Sequence, residues 1–187
     1  MASISIFTNI ILLMIIISSS TLISPLQFSK NDFGLTPKTT TFRFYFYDKL
    51  SSPNATAIRI VTGPTTSNTF FGSVVMIDDA LLENESMGSK IIGRAQGLYA
   101  GADQTTVGLL MVVNYVFTAG EFNGSSLSVL GRNAVLRPVR ELPILGGTGA
   151  FRLAQGYALA STKWIDNNTG DAIVEYNVTV YHYDINV

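Results

Sequence analysis

RELPILGGTGAFRLAQGYA, residues 140–158, is the stretch that decides the fold. Read from Ala150 onward as a strand, it puts Ala150, Arg152, Ala154, Gly156, Ala158, Ala160 and Thr162 on one face and Phe151, Leu153, Gln155, Tyr157, Leu159 and Ser161 on the other, because successive strand residues point to opposite sides. A face of alanine and glycine does not fill the space in front of it. In an ordinary sheet that space is a destabilising void, whereas in a small barrel it is room for a ligand. The competing reading is close packing against bulky neighbours.

Around this stretch other strand-like runs follow one another: Thr41 to Asp48, Thr56 to Thr62, Thr69 to Ile77, Ile91 to Ala100, Val107 to Thr118, Ser126 to Leu130, and Ala172 to Tyr183, with Phe151 to Thr162 between the last two. Turn clusters such as Ser51-Ser52-Pro53-Asn54, Asn123-Gly124-Ser125 and Gly146-Gly147 separate them. A helical period is present only around Leu81 to Met87. This pattern predicts an all-β fold of about eight antiparallel strands, either a closed β-barrel or a sandwich. Val107 to Thr118 is apolar on both faces, so its outer side needs a cover. We therefore expect a homo-oligomer, dimer or trimer, with Leu110, Val112 or Val116 near the contact; a sandwich explains the same pattern.

The 187 residues are 47% hydrophobic and 13% charged, with a formal net charge of -1 and no cysteine. That suits one domain whose stability comes from its core, and it offers no footprint for nucleic acid or an anionic membrane. Ile10 to Ile17 is too short an apolar run to span a bilayer and lies where a secretory leader would, although no Lys or Arg precedes Lys30. We read residues 1–24 as a signal peptide, 25–40 as a flexible N-terminal arm and 41–187 as the β domain. Five N-x-[ST] sequons, at Asn54, Asn84, Asn123, Asn167 and Asn177, agree with export and glycosylation.

With a single histidine, His182, and no cysteine, a Cys/His zinc site is excluded, and no redox metal or organic cofactor is expected. His182 has no supporting catalytic motif and reads as structural. Gly146-Gly147-Thr148-Gly149 lacks the Lys and the following helix of a phosphate cradle, and reads as a tight turn. Asp48 shares a face with Phe42, Phe44 and Phe46, where desolvation would keep it protonated as an acid; the bland alternative is a strand-ending residue at a rim. Asp78 and Asp79 read as turn residues. Ala-Gln-Gly occurs at Ala95 to Gly97 and again at Ala154 to Gly156, so Ala95, Gly97 and Tyr99 form a second small-residue face.

FYFYD (Phe44 to Asp48), GSVVMIDD (Gly72 to Asp79), SKIIGRAQGLY (Ser89 to Tyr99), LMVVNYVFTAGEFNGSSLSVLGRN (Leu110 to Asn133), the stretch from Arg140, and VEYNVTVYHY (Val174 to Tyr183) together resemble the plant dirigent family. The resemblance implies an eight-stranded antiparallel barrel, usually trimeric, secreted to the apoplast and glycosylated. It implies control over the stereochemistry of phenoxy-radical coupling of monolignols such as coniferyl alcohol, giving lignans. A separate laccase or peroxidase would supply the oxidation. Carried over by motif, the site would comprise Asp48, Tyr99, Arg140 and Thr162, in a pocket walled by Phe44, Phe46, Asn133 and Ala158.

Two residues depart from the family's pattern: Tyr47 stands where His is common, facing away from Asp48, and Asn133 stands where lignan-forming members carry a second aspartate. Members of that kind also usually carry a disulfide. The alternative function is therefore a dehydratase or cyclase acting through a quinone methide, as in pterocarpan-forming relatives; a third is a wall protein that binds glycans or lignin polymer. On the hollow-barrel reading, Ala158→Leu should fill the cavity and abolish stereocontrol while leaving the fold intact.

Overall fold

Nine strands are present in the computed structural model, which describes residues 35–184. They are β1 (Thr36–Asp48), β2 (Ala57–Val61), β3 (Val74–Leu82), β4 (Ile91–Gly101), β5 (Leu109–Phe117), β6 (Ser126–Asn133), β7 (Arg140–Thr148), β8 (Gln155–Ile165) and β9 (Ala172–Asp184). They run in the order β1-β9-β8-β7-β6-β5-β4-β3-β2, and β1 pairs again with β3 at Tyr45↔Leu82, Phe46↔Leu81 and Tyr47↔Ala80. This last pairing closes an eight-stranded antiparallel barrel, with β2 added to the outer edge of β3. Closure leaves little free strand edge.

The barrel begins earlier than the sequence reading placed it: Thr36 to Thr40, assigned to a flexible arm, already pair with β9 from Thr36↔Asp184 to Thr40↔Val180. The expected signal peptide lies outside the described residues. The expected helical turn at Leu81 to Met87 is the end of β3 and a turn. Gly146, Gly147 and Thr148 belong to β7, which the turn-rich appearance of the sequence had hidden; the chain reverses just after them in a 3-10 turn at Gly149–Phe151. β8 therefore starts at Gln155, not at Phe151.

The interior corrects the reading of the small-residue face. Ala95, Ala158 and Ala160 are 0% exposed, so no water-sized space touches them. Their bulky neighbours supply the volume: Tyr176 is the register partner of both Ala160 and Phe44, it stacks on Phe44 at 5.4 Å between centroids, and Tyr115 meets both rings edge-on at 4.9 and 5.6 Å. The close-packed alternative is the one realised in the middle of the barrel. Ala158→Leu is accordingly expected to overpack the core and lower stability by about 1–3 kcal/mol, read as a lower melting temperature, instead of leaving the fold intact.

The repeated Ala-Gln-Gly has a backbone cause. A Cβ on Gly97 would lie 2.1 Å from the Val112 carbonyl oxygen, and one on Gly156 would lie 2.1 Å from that of Thr179. Both glycines let the next strand press inward as the barrel coils. At one end, Phe42, Phe117, Phe122 and Phe151 form a contiguous ring cluster with centroids 4.8–6.1 Å apart, and His182 packs edge-on against Phe151. Rings fill the interior at that end, beside a surface recess lined by Lys38, Glu121, Phe122, Arg152 and His182. The buried acids and the buried guanidinium lie at the other.

The outer wall carries an apolar row that crosses six strands in register: Ile58, Met76, Leu98, Val112 and Leu130, with Pro143 one step beyond the last pair. Ile58, Met76, Val112 and Leu130 are all exposed, as is Leu110 beside them. Val116, further along β5, is half-buried.

Candidate functional site

Antiparallel order brings the C-terminal ends of β1, β4, β6 and β8 to one end of the barrel, together with the N-terminal ends of β3, β5, β7 and β9. Asp48, Tyr99, Asn133, Arg140 and Thr162, separated by up to 114 positions in the chain (162 − 48), are thus collected at a single rim. Alternation fixes their direction. Phe44, Phe46 and Asp48 point inward while Tyr45 and Tyr47 pack outside with Ala80, Leu82 and Ile173.

Asp79, read from the sequence as a turn residue, is inside strand β3 and fully buried on the same inner face as Val75, Ile77 and Leu81. Continuing the β1–β3 register one step past Tyr47↔Ala80 sets Asp79 opposite Asp48. The Thr56 hydroxyl donates to Asp79 Oδ1 at 2.5 Å, while Oδ2 has no partner. Burial pushes Asp48 up to about 8; the charge of Asp79 adds to this, the Tyr99 hydrogen bond opposes it, and Asp171 pushes up further. Asp79 is itself raised to about 7, chiefly by burial, against the hydrogen bonds from Thr56 and the Lys49 N–H. The Tyr99 hydroxyl donates to Asp48 Oδ1 at 3.4 Å, and burial, then the nearby Asp48, hold its own proton on well above the usual tyrosine range. Near neutral pH this corner therefore holds a carboxylic acid, not two carboxylates.

At the same end of the barrel, β7 and β6 present Arg140 and Asn133, both buried. Arg140 Nε donates to Asn133 Oδ1 at 3.2 Å, and Asn133 Nδ2 is 3.8 Å from the Met111 sulfur. Arg140 forms no ion pair among the described residues, and its Nη1 has no hydrogen-bond partner. Burial weighs against its charge, offset by the adjacent Tyr176; a guanidinium nonetheless stays protonated. Tyr176, raised mainly by burial, is pulled down by Arg140 and pushed up by Asp48, so its hydroxyl lies within electrostatic reach of both. A buried cation with a free donor N–H is a ready holder for an anionic or carbonyl oxygen.

The remaining sequence candidates divide by depth. Phe46 lies one inward-facing position below Asp48 and packs on Tyr176 at 5.9 Å, forming the floor. Phe44 and Ala158 are deeper, closed over by the aromatic layer, and do not wall an open pocket. Thr162 is exposed at the rim, on the face of Ala158 and Ala160. The five sequon asparagines are all exposed. Sequence reasoning missed Asp79 and Tyr176. The signal for Asp79 was parity: it alternates with Val75, Ile77 and Leu81, a pattern obscured by the adjacent Asp78, whose side chain points outward to Arg94 at 3.0 Å.

Comparison with known proteins agrees with this architecture. The family described as Dirigent-like protein matches residues 39–181. Dirigent protein 23 of Arabidopsis thaliana is 50% identical over 147 residues, covering 78% of this chain and 79% of that protein. Pterocarpan synthase 1 of Glycyrrhiza echinata is 45% identical over 149 residues, covering 78% and 79%. A solved pterocarpan synthase dirigent protein superposes with a TM-score of 0.75 at 44% identity, covering 79% of this chain and 87% of its own. Sequence, barrel and the placement of its polar rim lead to one assignment: this chain belongs to the dirigent family.

Proposed function

We propose that this protein guides a phenolic substrate through a quinone methide, acting as a dehydratase and cyclase of the pterocarpan-forming kind. The observation that carries the reading is the inward-facing carboxyl of Asp48, bonded by Tyr99, at the same end of the barrel as a buried guanidinium whose Nη1 is free; burial favours the protonated form of that carboxyl. Asp48 gives its proton to a benzylic hydroxyl of an isoflavanol, the C–O bond breaks and water leaves. The phenol in conjugation with that carbon releases its proton to solvent water, from which it is later recovered, and becomes the quinone methide carbonyl, whose oxygen Arg140 holds. A second phenolic hydroxyl then adds to the methide carbon and passes its proton to the Asp48 carboxylate, while the carbonyl oxygen takes a proton back. The net change is loss of one water, and no oxidant is required.

Guidance of monolignol radical coupling is the second reading, supported by the family as a whole. It would need a separate laccase or peroxidase. The amide at Asn133 weighs against it, because a neutral amide does not donate a proton as a second carboxylic acid would. Incubating the purified protein with an isoflavanol and no oxidant, with chiral chromatography of the products, is expected to give one enantiomer of the dehydrated, ring-closed product. No turnover there, together with enantiomeric excess from coniferyl alcohol plus laccase, would overturn the cyclase reading in favour of coupling. Equal binding of wall glycan by wild type and a variant lacking both Asp48 and Arg140, with neither reaction guided, would support the wall-protein alternative.

The exposed sequons, near-neutral charge and leader-like apolar run support a secreted, apoplastic, glycosylated protein. The apolar row over β2 to β7 supports a homo-oligomer, since a contiguous apolar face on a soluble barrel asks for a partner surface. Val112→Glu is expected to reduce the assembly to monomers, as measured by light scattering after gel filtration. An unchanged mass would move the contact off this row.

A further inference from the structure

We propose that Asp79 is a positioning residue of the site: it and Asp48 share a single proton across the β1–β3 seam, and its negative charge keeps that proton on Asp48. The inference deepens the reading of Asp48 as the acid and rests on it. Four features of the geometry carry it. Asp79 is fully buried on the inner face, so its carboxyl is out of contact with bulk water. Asp79 and Asp48 follow directly on the last β1–β3 pair, Tyr47↔Ala80, so the continued register brings their side chains together, and the charge of Asp79 is felt at Asp48. One of its oxygens is anchored by Thr56, and the N–H of Lys49, the residue that follows Asp48, also favours its ionised form. Its other oxygen, Oδ2, is left without a partner in a place where an orphaned acceptor is costly.

The asymmetry of the two carboxyls assigns their roles. Asp79 has three groups that stabilise its charge, the Thr56 hydroxyl, the Lys49 N–H and the Arg94 guanidinium, while Asp48 has the long Tyr99 hydrogen bond alone. Asp79 therefore ionises first, and the remaining proton stays on Asp48, the less buried member. The other charged and titratable groups facing the pair are Tyr99 on β4, Tyr176 on β9 with Arg140 beyond it, Asp171 before β9, Arg94 on β4 with Asp78 on β3, and Arg59 on β2, which acts through Tyr99. Arg94 is engaged by Asp78, and Asp171 is tied to the Leu50 and Ser51 amides and the Ser51 hydroxyl. Arg94, though engaged by Asp78, still favours the charge of Asp79, and Asp171, itself an acid, adds to the repulsion felt by Asp48.

The test has two readouts. Infrared difference spectra of the whole protein, taken across a pH titration, should show a protonated carboxyl group persisting above pH 6 and retained in Asp79→Asn. In that variant the pH at which Asp48 gives up its proton should fall by about one unit, since a like charge has been removed. If isoflavanol turnover is observed, the alkaline limb of its pH profile should move down by the same amount with KM little changed. Thr56→Val, which weakens the hold on Asp79's charge, should move both in the same direction by less, and serves if Asp79→Asn does not fold. An Asp48 titration that is unmoved in both variants would overturn the shared proton. Absence of isoflavanol turnover in wild type, with the infrared shift intact, would instead fault the cyclase reading.

Discussion

Asp48→Asn is expected to lower turnover by about 10²- to 10⁴-fold while leaving substrate affinity close to that of the wild type, because the amide keeps the shape but has no proton to give. The effect belongs in kcat, measured on isoflavanol without oxidant. The same variant should be at least as stable as the parent. Asp48 and Asp79 have folded values of about 8 and about 7, above the ordinary carboxyl value of about 4 in an unfolded chain. Folding therefore takes up protons across that interval, and stability falls as pH rises from about 4 to 8. Replacing Asp48 removes its share of that slope. Melting temperatures recorded at pH 5 and pH 8 should differ less in Asp48→Asn than in wild type, and a steeper dependence in the variant would contradict the buried-acid description.

Gly97→Ala is expected to be the most damaging small substitution in the barrel. Gly97 has φ of +152°, outside the range that residues with a Cβ favour, and its added methyl would meet the Val112 carbonyl oxygen at 2.1 Å and Val113 Cα at 2.9 Å. These are backbone atoms of a paired strand and have no rotamer to escape into. Strain of about 1–3 kcal/mol from the dihedral and a similar cost from overpacking give roughly 2–6 kcal/mol. Against a typical total of about 5–15 kcal/mol, the variant should melt on the order of 10 °C lower or accumulate as insoluble protein. Gly146→Ala is the control. A Cβ there meets nothing within 4 Å.

The contrast between those glycines shows what the sequence could and could not convey. Alternation in Phe42 to Asp48 and Leu109 to Phe117 was legible because one face is buried, and it placed Asp48 inward and Tyr47 outward as the structure does. The alanines and glycines were legible as small but not as spacious, since whether a gap is filled depends on residues such as Tyr115 and Tyr176 that the fold brings from strands distant in sequence. β7 was hidden because Gly146 and Gly147 look like a turn, and nothing local says that their neighbours are paired on both edges. Asp79 was lost for a related reason. Two adjacent aspartates resemble a turn until closure of the barrel sends one of them inward, opposite Asp48.

The phenylalanine cluster at the far end of the barrel makes the molecule a cul-de-sac instead of a conduit. On the proposed function, a guest admitted past Asp48 and Arg140 must back out by the way it came in. Departure and arrival then exclude each other, and a lingering product acts as a stopper against the next guest.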